Sequence, residues 1–173
     1  MSQETHYPWE GNIKIILEPE KSRRLTVYIR IPGWARNEPV PSSLYSFADI
    51  YGEEPVLKVN GESIEIILEN GYAKLSRTWK KGDVIELDLP MPVRKIKAHE
   101  KVDADSGKVA FQRGPLVFCF EGVDNNGHVL DRIIKSEAQF KSKFEPDLLR
   151  GVPVLIGEDR NGEPLMAVPY LSL

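Results

Sequence analysis

Apolar and polar residues alternate most regularly between Val56 and Leu89. Four short strands are predicted there, joined by three tight turns. Asn60-Gly61 and Asn70-Gly71 separate the first three strands, and Asn-Gly accepts the positive φ that a type I′ hairpin turn demands at both central positions. Lys80-Lys81-Gly82-Asp83 supplies the third turn, with Gly82 suited to a left-handed position. A period of two directs Ile64, Ile66 and Leu68 to one face of the second strand. It does the same for Ala73, Leu75 and Trp79 on the third, and for Ile85, Leu87 and Leu89 on the fourth. Glu65, Lys74, Ser76, Glu86 and Asp88 face the other way. The prediction is an antiparallel meander with one wet face, which needs a second layer over its apolar face. No chemistry-bearing constellation lies within it.

The same pattern recurs on both sides. Asn12 to Glu18 and Arg24 to Ile31 alternate as strands, the latter with Leu25, Val27, Ile29 and Ile31 on one face. Ala35 to Pro55 holds Pro39, Pro41, Gly52 and Pro55 without a sustained period and is expected to be a long surface loop. Beyond Pro90 and Pro92, strands are predicted over Val93 to His99 and Lys108 to Arg113. Pro115 to Glu121 is apolar on both faces and is expected to be covered on both. Glu137 to Phe144 reads as a strand, Glu145 to Arg150 as a single helical turn, and Val152–Gly157 and Leu165–Val168 as a last hairpin around Asn161-Gly162. No helix of ordinary length is predicted. The fold class is all-β: an antiparallel, jelly-roll-like β-sandwich with negligible helix, built as one or two β-units. The seam falls at Pro90 to Arg94, giving a first unit over 1–92 that contains the meander and a second over 93–173 whose completeness stays open.

Composition narrows the function classes. At 173 residues the chain is long enough for one domain with a proper core, or two small ones. A net charge of −3 gives no electrostatic footing for nucleic acid or an anionic membrane. Apolar runs such as Pro115 to Phe120 fall far short of the roughly 20 residues that cross a bilayer. MSQETHYPWEGN is polar from the first residue and is not a signal peptide, so a cytoplasmic location is expected if the chain is a complete gene product. The single cysteine, Cys119, excludes an internal disulfide framework.

Three segments carry a more specific signal: YIRIPGWA (Tyr28 to Ala35), GYAKLSRTWKKGDVIELDLPMPVR (Gly71 to Arg94) and GKVAFQRGPLVFCFE (Gly107 to Glu121). They resemble, in order, the β-sandwich part of glycoside hydrolase family 127, the β-L-arabinofuranosidases. YPWEGN resembles the segment by which that family's chain leaves its catalytic barrel. The resemblance implies a multi-domain parent enzyme acting on L-arabinofuranosides. Its N-terminal helical barrel carries a cysteine-and-glutamate zinc site, a nucleophilic cysteine and an acid/base glutamate. None of these maps onto this sequence, and Cys119 falls in the sandwich motif FCFE. By resemblance, then, the chain is a non-catalytic accessory region with no cofactor of its own. Its partners would be the catalytic barrel and a second copy in a homodimer.

The residues themselves support no catalytic or metal assignment. Cys119 and the three histidines, His6, His99 and His128, show no zinc-ligand spacing. Cys119 sits between Phe118 and Phe120 and reads as a small buried hydrophobe. Asp103 to Gly107 reads as a turn, because Gly114 stands where a calcium loop needs its glutamate. The carboxylate pairs Glu53/Glu54, Glu86/Asp88 and Glu158/Asp159 read as surface charge. Trp79, in phase with Leu75, reads as core. The remaining candidates, Trp9, Trp34, Tyr7, Tyr45 and Tyr51, either pack at a domain interface or stack on sugar rings. The second option would make the chain an independent carbohydrate-binding module.

Overall fold

The computed structural model describes residues 1–170. Nine strands precede the predicted seam: β1 (Ser2–Thr5), β2 (Asn12–Leu17), β3 (Arg23–Arg30), β4 (Tyr45–Phe47), β5 (Val56–Val59), β6 (Glu62–Ile64), β7 (Leu68–Glu69), β8 (Tyr72–Trp79) and β9 (Asp83–Asp88). Six follow it: β10 (Val93–Ala98), β11 (Val109–Arg113), β12 (Leu116–Phe120), β13 (Lys141–Glu145), β14 (Val152–Glu158) and β15 (Pro164–Pro169). The only helical segments among the described residues are short 3-10 turns at Gly33–Arg36, Asp103–Asp105 and Gly122–Asp124. The fold is all-β and antiparallel, as a β-sandwich requires. The chain divides into two compact units, Met1–Ser46 with Ile50–Met91, and Phe47–Asp49 with Pro92 onward.

In the first unit the predicted meander is not one sheet. β5 and β6 form a hairpin in a five-stranded sheet ordered β1-β2-β9-β5-β6, whereas β7 and β8 form one in a three-stranded sheet ordered β3-β8-β7. Both Asn-Gly turns take the positive φ expected, 55° and 82° at Asn60-Gly61, 52° and 81° at Asn70-Gly71. The chain leaves one sheet at 65–67, and Lys80–Asp83 is the corner that returns it, not a hairpin. The physical reason is cover. Split between two sheets, the apolar faces of the strands bury each other: Leu57, Val59, Ile85 and Leu87 pack with Ile29, Ala73, Leu75 and Trp79 in one core. Trp79 is 0% exposed, and its indole N–H donates to the Leu25 carbonyl at 3.2 Å. Leu68, expected inside, is exposed at the sheet edge, and Ile64 and Ile66 are half-buried.

β1 leaves no alternating pattern because all four of its residues are polar and exposed; it exists by pairing with β2, from Ser2 opposite Ile16 to Thr5 opposite Ile13. On the wet face an alternating charge ladder crosses four strands, Glu4 opposite Lys14, Lys14 opposite Glu86, and Glu86 opposite Lys58. Unlike charges facing each other across strands favour this register.

The second unit is built on a seven-stranded sheet ordered β13-β14-β15-β12-β11-β10-β4. β4 comes from the stretch expected to be a plain loop. A three-residue strand with a distant partner leaves no local period, so pattern reading misses it. Phe47–Asp49 are held by Arg94 of β10: its guanidinium lies 3.6 Å from the Phe47 ring centre and 3.6 Å from the Asp49 carboxylate, and it donates to the Asp49 carbonyl. One apolar face collects Phe111, Phe118, Leu155 and Ala167, and the Phe111, Phe120 and Phe140 rings pack together with centres 4.5 to 5.7 Å apart. Three expectations change here. The strand predicted from Glu137 begins at Lys141, because Phe140 instead turns inward against Gly157. The helical turn at Glu145–Arg150 is a reversal with Leu149 and Arg150 at positive φ, which returns the chain to pair β13 with β14. β12 is not covered throughout, since Val117 is 43% exposed.

Candidate interaction surface

The aromatic candidates fall into two groups. Tyr7 and Trp34 are brought together: the Trp34 indole N–H donates to the Tyr7 phenol, while burial pushes the phenol pKa up. Tyr7 precedes a cis bond to Pro8, and the turn is closed by Trp9 and Glu10 N–H groups donating to the His6 carbonyl at 2.8 and 3.2 Å. Trp34 lies in the 3-10 turn after Pro32, half-buried against the core of the first unit. Its ring caps that core, and Tyr7, 39% exposed, caps the indole. Trp9, Tyr45 and Tyr51 are also half-buried, and each already has an interaction partner. Tyr45 sits on β4, and Tyr51 in the coil after it. Of these five side chains only Tyr7 is exposed.

Cys119 is half-buried, with its sulfur 3.7 Å from the Val168 carbonyl and 3.9 Å from the Glu121 carboxylate. Burial and the nearby Glu121 charge push its thiol pKa up, the opposite of what activates a nucleophile. Among the described residues no three His, Cys, Asp or Glu side chains come together to hold a metal ion. His99 is engaged locally, accepting the Lys101 N–H at 3.1 Å on Nδ1. Asp103–Asp105 is a turn whose end is tied by Lys108 donating to the Ala104 carbonyl.

Of the carboxylates, Glu86 and Asp88 belong to the wet face, Asp88 accepting from the Asn12 amide at 3.1 Å. Asp159 departs from the surface reading. Its side chain is 3% exposed, and Arg132 donates to it at 2.8 Å. Its other oxygen accepts the Asn161 and Glu163 N–H groups at 2.8 and 3.0 Å, and these bonds hold its carboxyl below the usual range. Asp159 thus binds the β14–β15 turn to the long segment before β13. Asn125 does similar work near β15, exchanging bonds with the Met166 N–H and carbonyl at 2.8 and 2.9 Å and donating to the Glu121 carbonyl at 2.7 Å. The readable sign of the first is an aspartate two residues before the turn's asparagine, a spacing that lets its side chain cap the backbone; nothing local marks Asn125.

What these sites hold is the fold itself, which makes relatives the better guide to role. Residues 1–91 match the model for the GH127 middle domain of β-L-arabinofuranosidase, and residues 93–173 match the glycoside hydrolase family 127 C-terminal domain. The chain belongs to glycoside hydrolase family 127. It is 32% identical to a non-reducing end β-L-arabinofuranosidase of Bifidobacterium longum subsp. longum, over 99% of this chain and 28% of that protein. A solved GH127 β-arabinofuranosidase superposes on 97% of this chain with a TM-score of 0.90 at 37% identity, covering 28% of the other chain. A GH127 β-L-arabinofuranosidase from Geobacillus stearothermophilus T6 gives a TM-score of 0.83 at 36% identity, covering 27% of it. The chain spans under a third of the length of these relatives. In family terms it corresponds to the middle and C-terminal domains of a β-L-arabinofuranosidase.

Proposed function

We propose that this chain is the non-catalytic accessory region of a GH127 β-L-arabinofuranosidase-type glycoside hydrolase, bracing a catalytic barrel that carries the zinc site and the nucleophile. The observation behind it is the tiling of the chain by the middle- and C-terminal-domain models, against only 28% of a β-L-arabinofuranosidase's length. The local chemistry agrees: the side chains singled out as candidates are engaged in packing or in tying turns. Self-association belongs to the same reading. Val117 and Ile156 stand exposed on one face of the seven-stranded sheet, where apolar surface invites a second copy. The chain alone, supplied with zinc and a chromogenic β-L-arabinofuranoside, is expected to release product at the buffer rate. Turnover above that rate, lost on Cys119→Ala, would refute the proposal.

A second reading is an independent carbohydrate-binding module. The exposed part of Tyr7, supported by Trp34, is the observation in its favour. It predicts heat on titration with arabinose-containing glycans that is lost in Trp34→Ala, and a silent titration would dispose of it.

A further inference from the structure

Two arginines gather over the turn at Asn70-Gly71, and one of them, Arg30, has no carboxylate partner among the ion pairs of the described residues. Arg30, at the end of β3, and Arg36, in the 3-10 turn after it, both reach over this turn from different segments. A β-carbon built on Gly71 would lie 2.7 Å from Arg30 Nη1 and 3.8 Å from Arg36 Nη2, so the two guanidiniums converge on one small area. Glycine is favoured there by a φ of 81°. Arg36 is neutralised by Glu38 at 3.1 Å. Its Nε is buried without a hydrogen-bond partner among the described residues. Arg30 lies 5.1 Å over the Tyr72 ring, and its bond to the Asn70 carbonyl is long, at 3.5 Å. Lys74, the next cation on this face, is already held by Glu69 at 3.0 Å. The acids Glu53, Glu54 and Glu65 line a cleft together with Arg36, and Arg30 is not part of that lining.

The outer face beside this pair suits a sugar ring. Arg30 stands opposite Tyr72, and Tyr28 opposite Lys74, so the two tyrosines are diagonal neighbours on one face of the β3–β8 pair. The Tyr28 ring is 52% exposed, and the Thr26 and Ser76 hydroxyls, 2.7 Å apart, continue the row. Tyr72 is occupied by Arg30, and Tyr28 is the free stacking face. We propose that this surface binds a carboxylate-bearing saccharide, with the carboxylate gripped by Arg30 and the sugar ring laid on Tyr28. A guanidinium matches a planar carboxylate through paired N–H donors, a fit that a neutral sugar cannot exploit. The proposal rests on the family's saccharide chemistry and on a site apart from Tyr7 and Trp34. Its failure would leave the bracing role untouched.

The test is a chemical-shift titration of this chain with trigalacturonate, its methyl ester, arabinotriose and pentaglutamate. Trigalacturonate is expected to shift the Tyr28, Arg30 and Gly71 amides, and the ester to bind about tenfold more weakly, the loss of a charge-assisted hydrogen bond. Arg30→Gln, whose side chain is exposed, is expected to weaken trigalacturonate about tenfold, and Tyr28→Ala several-fold, with melting temperatures unchanged. Equal binding of acid and ester, or no shifts at these residues, would overturn the site, as would arabinotriose binding as tightly as trigalacturonate. Pentaglutamate binding as tightly as trigalacturonate, and as dependent on Arg30, would overturn the saccharide in favour of an acidic protein segment. Should Arg30→Gln unfold, the comparison of acid with ester decides alone.

Discussion

Asp159 is one buried carboxylate with three donors, and it sets an expectation about pH. Its folded pKa is depressed by Arg132 and the two turn N–H groups, so the stability it contributes is present above its unfolded value of about 4 and is lost as pH falls through the lower folded value. Asp159→Asn should therefore melt below the parent at pH 7, and the gap should close under acid, below about pH 4. A gap that persists at pH 2 would mean that Asp159 acts through shape and not charge. Trp79 is the residue on which the first core depends most. Trp79→Ala leaves a cavity among Leu25, Leu75 and their neighbours, and urea denaturation should register a loss of about 3–5 kcal/mol. Both side chains are visible in the sequence, Trp79 with its right role through its phase with Leu75. Asp159 reads there as surface, because burial of a charge depends on a partner 27 residues away.

The elements divide by how local their cause is. Strands β2, β3, β8 and β9 and both Asn-Gly hairpins are legible, since alternation and turn chemistry act within about ten residues. Hidden are the features that depend on distant pairing: the all-polar β1, the three-residue β4, and the passage of the chain between two sheets at 65–67. An alternating pattern says which face is apolar but not which layer will cover it, so one meander and two hairpins in separate sheets read alike. The turns provide a check. Gly61→Ala and Gly71→Ala should each cost about 1–2 kcal/mol for the left-handed backbone, nearly equally, because the Arg30 guanidinium can swing aside. Gly157→Ala differs in kind: its methyl would sit 2.6 Å from the buried Phe140 ring, and overpacking of about 1–3 kcal/mol should appear in the same denaturation measurement. Arg94→Ala should release Phe47–Asp49 from β10, seen as faster hydrogen exchange at Ala48, whose N–H now bonds the Lys95 carbonyl at 2.8 Å.

At the scale of the whole molecule, the described residues form two β-units, and most of the candidate residues are engaged in packing or in tying turns. The family is legible from three segments because they carry long runs of specific residues; the role within the family is not legible from any single site. The proposed accessory role is defined by what the region would do for another part of an enzyme, so the decisive measurement is made there. In the Bifidobacterium longum β-L-arabinofuranosidase, the segment matching this chain, 28% of that protein, would be deleted, and the melting temperature and the hydrolysis of a chromogenic β-L-arabinofuranoside compared with the intact enzyme. The account predicts a lower melting temperature and reduced turnover, both restored when this chain's sequence is grafted in place of the deleted segment. A deletion that melts and turns over like the intact enzyme would contradict it.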